Sequence, residues 1–342
     1  AGVRVAVLFA VAVNLLVAAV AWFLASPADP PYKTEQSKPN PSAGSFIVLI
    51  AMFLSGFAAL VNEVAWTRVF ALIVGPTTYA FTLMLIAMIV GLGLGAWLGS
   101  QWATNHDSSL ISFAWIEVGV GLSSLGLVPL FGELPLWVGL LVRRYVESFA
   151  TIQSIEFLIF FLILLVPTTL LGATFPIAAK LYASSNSLLG SEVSAVYAAN
   201  TLGGILGSLI AGFLLVPLLG SQHTLIFAAC VSVTVGVLIL ARSFKETSVW
   251  WAKPILMCAA ISVVPISAIL PRWDAELMSS GAYRYAPYYG ANLDLESVLK
   301  RGDLLYFREG TTTTVSVKRD SESTKLAVDG KIDATDSGDM LT

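Results

Sequence analysis

Up to Pro271 the chain is a series of long apolar runs punctuated by polar residues; after it the runs are short and alternate. A helix needs about 20 apolar residues to cross a ~30 Å hydrocarbon core at a rise of 1.5 Å per residue. By that measure the pattern predicts a spanning helix at residues 1–26. Seven more follow at about 46–69, 78–102, 111–131, 154–181, 192–219, 222–242 and 253–271, each bounded by Gly, Pro or charged residues. Between the first helix and the rest, SPADPPYKTEQSKPNPSAG reads as an extended aqueous linker. Residues 133–149, ELPLWVGLLVRRYVESF, carry apolar positions at helical spacing with Arg143 and Arg144 side by side. Adjacent arginines are costly at the bilayer centre, so this stretch predicts an interfacial amphipathic helix.

Beyond Pro271 the period falls to two in LLYFREG, TTTVSVKRD and TKLAVDGKID, with a turn at Asp320 to Ser323. Val315 and Val317 share one face, Ser316 and Lys318 the other, which predicts a small antiparallel sheet. LDLESVLKRG predicts a short helix before it. The predicted class is therefore mostly α: a polytopic membrane bundle of about eight spans, then a small antiparallel β domain. The boundaries are 1–26 for the first helix, 27–45 for the linker, 46–271 for a seven-helix membrane domain and 272–342 for a soluble segment.

Composition supports the membrane assignment. The chain is 56% hydrophobic and 12% charged, with mean hydropathy +0.80, whereas soluble domains run at about 25% charged. Twenty-one of the charged residues lie in residues 272–342, against 15 in residues 46–271. A net charge of −3 offers no basic face to nucleic acid. Cys230 and Cys258 sit in apolar runs and read as small packing residues. His106 and His223 occupy separate loops, and no spacing suits a metal. Basic residues divide six and six between the two faces of the membrane, so charge does not orient the chain. Residues 1–26 align weakly with the run from Gly220, sharing Gly, Phe, Ala and two Val positions, as the last helix of an earlier copy would.

Small residues recur every four positions at Gly91, Gly95 and Gly99, and again at Gly203, Gly207 and Ala211, predicting close helix approach on each face. Polar groups within the apolar runs are the candidate membrane site: Asn62, Glu63 and Arg68 on one helix and Glu117 on another, with a contact between Glu117 and Arg68 a possible pairing. In VDGKIDATDSGDM, Asp329, Asp333, Asp336 and Asp339 crowd a turn that suits either a cationic amine or an ordinary Asp-Gly hairpin.

The blocks SGFAALVNEVAWTRVFALIVGPTTYAF, LLGATFPIAAKLYA, VYAANTLGGILGSLIAGFLLVPLLG, WDAELMSSGAYRYAP and FREGTTTTVSVKRDSESTKLAVDGKIDATDSGDM resemble the membrane-anchored spermidine synthase-like proteins. In that family a transporter-like membrane region precedes a polyamine aminopropyltransferase domain. The resemblance runs from about Phe46 to the end. It implies that the blocks REGTTTTVSV and LAVDGKIDAT, residues 308–317 and 326–335, form the small β-domain at the front of the enzyme, and that a Rossmann-like domain holding decarboxylated S-adenosylmethionine follows in the full-length protein. It also implies an acid-lined pocket for an amine substrate, for which Asp333 and Asp339 are the positions carried over. Asp333 stands where soluble spermidine synthases have Gln, and Gly338 and Asp339 stand where they have an Asp-Glu pair. On this reading the chain alone is inactive, with no bound cofactor. Its partners are the lipid bilayer, the missing domain and a polyamine or diamine, and its location is the cell membrane with the C-terminal part cytoplasmic. The alternatives are a bundle that transports a polyamine or related solute and one that merely anchors the enzyme.

Overall fold

Helices that must bury backbone polar groups in lipid, yet pack without a hydrophobic drive between them, need small residues where they cross, and the glycine stripes set how this bundle is assembled. The computed structural model describes residues 2–24, 43–105, 110–182, 189–243, 270–290, 292–321 and 323–337. Two compact units are present, Ala1–Pro41 and Ser42–Thr342. The first holds α1 (Gly2–Leu24), an apolar helix. The second begins with α2 (Ala43–Val74), α3 (Thr78–Asn105), α4 (Leu110–Arg144), α5 (Phe149–Tyr182) and α6 (Leu189–Ile210). A π-helical turn at Ala211–Leu215 then leads into α7 (Val216–Ser243).

Gly91, Gly95 and Gly99 lie on the buried face of α3 and meet Thr168, Thr169 and Ala173 of α5; a Cβ on Gly99 would come within 2.8 Å of the Ala173 Cα. Gly172 returns the contact against Leu92. The second stripe does the same between α6 and α2, where Gly203 and Gly207 sit on the backbone of Phe53 and Phe57, and Gly56 on Asn200. Both stripes therefore lie where the sequence predicts close approach.

Five helical stretches among the described residues are long and apolar enough to cross a membrane: Phe46–Val74, Thr78–Asn105, Leu110–Arg144, Phe149–Tyr182 and Glu192–Arg242. That corrects the expected count of about eight. The 51-residue stretch Glu192–Arg242 holds both runs read as spans, 192–219 and 222–242, on either side of Gly220. It doubles back at Gly220, whose φ of 80° and ψ of 164° leave the helical region. Val196 packs with Val48 and Met52 at one end of the bundle, and Ala211 with Val61 further along, whereas α7 returns from Leu225 beside Trp66 to Val235 beside Met52. Glycine takes the positive φ of that reversal without a Cβ penalty. The predicted span at 253–271, with Cys258, lies outside the described residues except for Leu270 and Pro271, and the linker between residues 27 and 42 and His106 lie outside them.

The amphipathic stretch after Glu133 is not a separate interfacial helix. It continues α4 without a break through Pro129 and Pro135, and 35 residues at 1.5 Å make a rod roughly 50 Å long, well beyond a bilayer core. Its buried side packs against the segment after Pro271. Gly139 fits against Ala282, Ala286 and Leu295, Leu136 packs with Leu277 and Leu299, and Arg143 donates to the Leu293 carbonyl at 3.0 Å.

Most of those partners belong to three short helices that follow Pro271, α8 (Ala275–Met278), α9 (Ala282–Tyr285) and α10 (Leu295–Leu299), with Ala286 and Leu293 in the turns between α9 and α10. Asp274 caps α8 by accepting from the Glu276 and Leu277 amides, and Asp294 caps α10 from Ser297, as short helices with few internal bonds require. Trp273 fixes the entry to this segment. Its indole donates to the Val128 carbonyl at 2.7 Å and stacks edge-on against Phe131, while its backbone amide donates to Gln222.

The chain then forms a four-stranded antiparallel meander, β1 (Asp303–Glu309), β2 (Thr314–Arg319), β3 (Thr324–Val328) and β4 (Lys331–Thr335), in the order β1-β2-β3-β4. This is the small antiparallel sheet the alternation predicts, and Asp329 at φ 49° with Gly330 at φ 79° makes the expected two-residue Asp-Gly turn. Tyr306, Val317, Leu326 and Ala334 pair in one row, and Arg308, Val315 and Val328 in the next, so both valines of β2 do share a face. The polar face of β2 is the buried one, with Thr314 and Ser316 covered. Two irregularities interrupt the register, placing Leu305 and Asp333 as the extra residues of bulges. Period-two counting cannot anticipate either of them.

Candidate functional site

The junction between bundle and sheet is built on three acidic and basic side chains from distant parts of the chain. Arg68, near the end of α2, reaches out of the bundle and donates to the Thr312 carbonyl in the β1–β2 loop. Glu309, the last residue of β1, accepts from the Ser221 backbone amide through both carboxylate oxygens at 3.0 Å and from the Ser221 hydroxyl. Ser221 is the first residue after the Gly220 reversal, so the carboxylate caps a helix start that lacks earlier carbonyl partners. Burial pushes the Glu309 carboxyl above its usual range, and the Ser221 donors, Arg68 and His223 oppose that shift.

Asp329 completes the junction. Its side chain accepts from the Thr314 amide at 2.8 Å, its own amide donates to the Thr314 carbonyl at 2.8 Å, and its carbonyl accepts from the Tyr283 hydroxyl. Burial raises its carboxyl above the ordinary value, with Asp333 adding to the rise and Thr314 and Arg68 countering it. Gly281 and Gly330 touch backbone to backbone, leaving no room for a Cβ on either. Asp329 is thus a turn-forming residue with one carboxylate oxygen held by the Thr314 amide. Asp329→Leu is expected to lose about 2 kcal/mol through the unpaired Thr314 amide and the left-handed φ, and Asp329→Asn much less, since Asn tolerates that backbone. Thermal unfolding of both variants in detergent measures the difference.

The remaining tail acids are dispersed. Asp333, at the β4 bulge, pairs with Lys331 at 3.0 Å with its side chain 41% exposed. Asp336 accepts from the Thr324 amide at 2.8 Å. Asp339 lies outside the described residues. A cavity of about 480 Å³ opens between the inner face of the sheet and the short helices, lined among others by Tyr285, Tyr289, Arg301, Lys318 and Lys325. Its charged lining has three basic residues and one acid, Asp320, the wrong balance for a polyamine by charge complementarity alone. Burial lowers the Lys318 ammonium, which donates to the Leu299 carbonyl at 2.8 Å. A second cavity, of about 330 Å³, lies at the junction against Leu72, His223, Arg272, Trp273 and Glu309.

The four membrane candidates separate. Asn62 and Glu117 are fully buried in the bundle; Glu63 is half-buried on α2, its carbonyl accepting from Thr67. Glu117 adjoins Ser55 of α2 and Ser232 of α7. Ser55 lies 13 residues before Arg68, about 20 Å along the helix. Arg68 therefore serves the sheet and Glu117 the interior, and the two do not pair. Among the described residues no group of three or more His, Cys, Asp or Glu could hold a metal ion. Sequence reasoning missed Glu309, Ser221 and Tyr283, because their partnership depends on bringing β1 and α9 to the bundle end.

No protein-family model matches the chain, and no solved structure matches it. Among curated proteins it is similar to a polyamine aminopropyltransferase of Oceanobacillus iheyensis, 21% identical over 290 residues, covering 84% of this chain and 50% of that protein. It is also similar to polyamine aminopropyltransferase 1 of Streptomyces coelicolor, 23% identical over 215 residues, 61% of this chain and 37% of that protein. The chain is thus a distant relative of polyamine aminopropyltransferases and spans half, or less, of the length of these relatives.

Proposed function

We propose that the chain is the membrane portion and leading β-sheet of a spermidine synthase-like aminopropyltransferase. One observation carries this reading. A match over 84% of the chain cannot leave out all of the segment after Pro271, which is 71 of 342 residues, so the likeness reaches past the bundle into that segment. The junction of Arg68, Glu309 and Asp329 supports the same reading, since it ties the sheet to the bundle end as one unit.

In the full-length protein the reaction is transfer of an aminopropyl group from decarboxylated S-adenosylmethionine to a diamine. A deprotonated amine nitrogen attacks the propyl carbon, the carbon–sulfur bond breaks, methylthioadenosine leaves, and a nearby base takes the nitrogen's proton. The donor is held by a Rossmann-like domain outside this chain. Asp333, at its bulge, partly exposed and paired with Lys331, is the sheet acid that would exchange that partner for an incoming ammonium group. The sheet and the donor domain lie on the cytoplasmic side, where a nucleoside donor is made. The expected result for the full-length protein is methylthioadenosine release that depends on an added diamine such as putrescine; absence of release across a panel of diamines overturns the reading. A second reading, solute transport by the bundle, is favoured by the buried and unpartnered polar groups around Glu117.

A further inference from the structure

The cavity of about 480 Å³ in the soluble segment has a chemistry of its own. Residues of β2, β3 and β4 line one side, and residues between Ser279 and Arg301 line the other. Small-molecule sites typically enclose about 300–1,000 Å³ behind mostly apolar walls with a few polar groups. Here Leu293, Val298, Leu299 and Ile332 supply the apolar lining and Tyr289 an aromatic ring. That is far more room than one water-sized ion fills.

Charge narrows the occupant further. The lining holds three basic residues, Arg301, Lys318 and Lys325, against one acid, Asp320. Both oxygens of Asp320 are engaged: one accepts from the Ser323 amide at 2.9 Å, the other from the Lys325 ammonium at 2.5 Å. Lys325 and Asp320 therefore cancel. Arg301 and Lys318 remain, two cations that enter none of the ion pairs among the described residues. Lys318 is half-buried and gives one of its three donors to the Leu299 carbonyl at 2.8 Å. Asp274 and Glu276 act on it from outside the lining, and Asp274 is itself held by Lys300 at 2.8 Å. Hydroxyl donors stand in the same lining. Tyr285 accepts from the Ile332 amide at 2.9 Å, which leaves its own proton to donate, and Ser316 of β2 is 4% exposed. Two cations, two hydroxyls and an apolar wall suit a dianion carried on an organic body. A single carboxylate balances one of the charges, whereas a phosphate monoester, at about −2 near neutral pH, balances both. The guanidinium fork matches paired phosphate oxygens, and the lysine adds a point charge.

We propose that this cavity binds a small organic phosphate monoester, its phosphate held by Arg301 and Lys318 with Tyr285 and Ser316 donating, and its apolar body against Leu293 and Val298. A diamine and a sulfonium donor carry the opposite charge, so this ligand is neither substrate of aminopropyl transfer. The site uses neither Asp333 nor the donor domain and does not depend on the aminopropyltransferase reading.

The test is thermal unfolding of the purified full-length protein in detergent, titrated with phenyl phosphate against sodium chloride and against neutral benzamide at matched ionic strength. The expected result is a saturable rise in melting temperature of several degrees with phenyl phosphate and none with chloride or benzamide. Arg301→Gln and Lys318→Gln each need about tenfold more phenyl phosphate for the same rise. Arg144→Gln, an exposed arginine away from the cavity, keeps the wild-type response. Hydrogen exchange slows with phenyl phosphate across residues 279–301 and 316–332 and is unchanged in α3 and α5. Equal behaviour with phenyl phosphate and benzamide overturns the proposal, as does protection that leaves residues 279–332 untouched. Dihexanoyl phosphatidate separates the sources of the phosphate: a rise with it alone assigns the group to a lipid and overturns the soluble ligand. Should Lys318→Gln fail to fold, Arg301→Gln decides: an unshifted midpoint rejects the site. Diamine-dependent methylthioadenosine release measured on the same preparations separates this outcome from failure of the enzymatic reading.

Discussion

Gly95→Leu is expected to abolish assembly of the bundle, with a loss of about 4 kcal/mol or more and little folded protein recovered from membranes. The reason is local and steric. A Cβ at Gly95 would overlap the Thr169 carbonyl and come within 2.9 Å of the Ala173 amide nitrogen, both backbone atoms that cannot turn aside as a side chain can. Gly91 and Gly99 press on the same face of α5, and Gly172 presses back on Leu92, so α3 cannot shift along its partner to escape. Because lipid tails solvate leucine as well as protein does, nothing repays the lost close contact. Gly93 gives the control: no atom lies within 4 Å of a Cβ built there. Gly93→Leu is expected to express and unfold like the wild type. Size-exclusion profiles and melting curves of the two variants check this, and similar losses for both would show that the stripe is not what holds α3 to α5.

Glu309→Ala is expected to free the sheet from the bundle, weakening it by roughly 3 kcal/mol. The substitution strips the Ser221 amide of its acceptor at the start of the returning helix and removes a buried countercharge from Arg68. Hydrogen exchange should rise across residues 303–335 and around Ser221, while α3 and α5 stay protected; unchanged exchange in the sheet refutes the coupling. The pH dependence has a definite sign. Burial raises the Glu309 carboxyl above its usual 4.5, so the folded state holds that proton more tightly than the unfolded chain. Its contribution is full below about pH 4.5 and fades as pH rises through the folded value. Glu309→Gln, which cannot titrate, should flatten that part of the wild-type profile. Asp329, raised likewise, adds a slope of the same sign.

Much of the fold is legible in the sequence. Apolar run length marks the helices because a bilayer leaves backbone groups no other partner, and four-residue glycine spacing marks which faces meet. Alternation and Asp329-Gly330 mark the sheet and its turn. The candidate site was legible only in part. Asn62, Glu63, Arg68 and Glu117 stand out as polar residues in apolar runs, but spacing along one helix cannot tell which of them a neighbouring helix leaves alone and which a distant strand engages. Glu309 gives no signal of its own, being an ordinary charge at the end of an alternating strand.

By itself, then, the sequence determined what each segment is: membrane helix, hairpin, close-packed face. Those follow from local solvation and backbone sterics, which act within a few residues. The tertiary structure alone decided that the stretch after Glu133 extends α4 to carry the soluble segment. It also decided that the chain reverses at Gly220, that Arg68 faces the sheet, and that Glu117 is buried in the interior away from Arg68. Each of these depends on contacts between residues tens to hundreds of positions apart, as Arg68 and Thr312 are, and no local pattern encodes them.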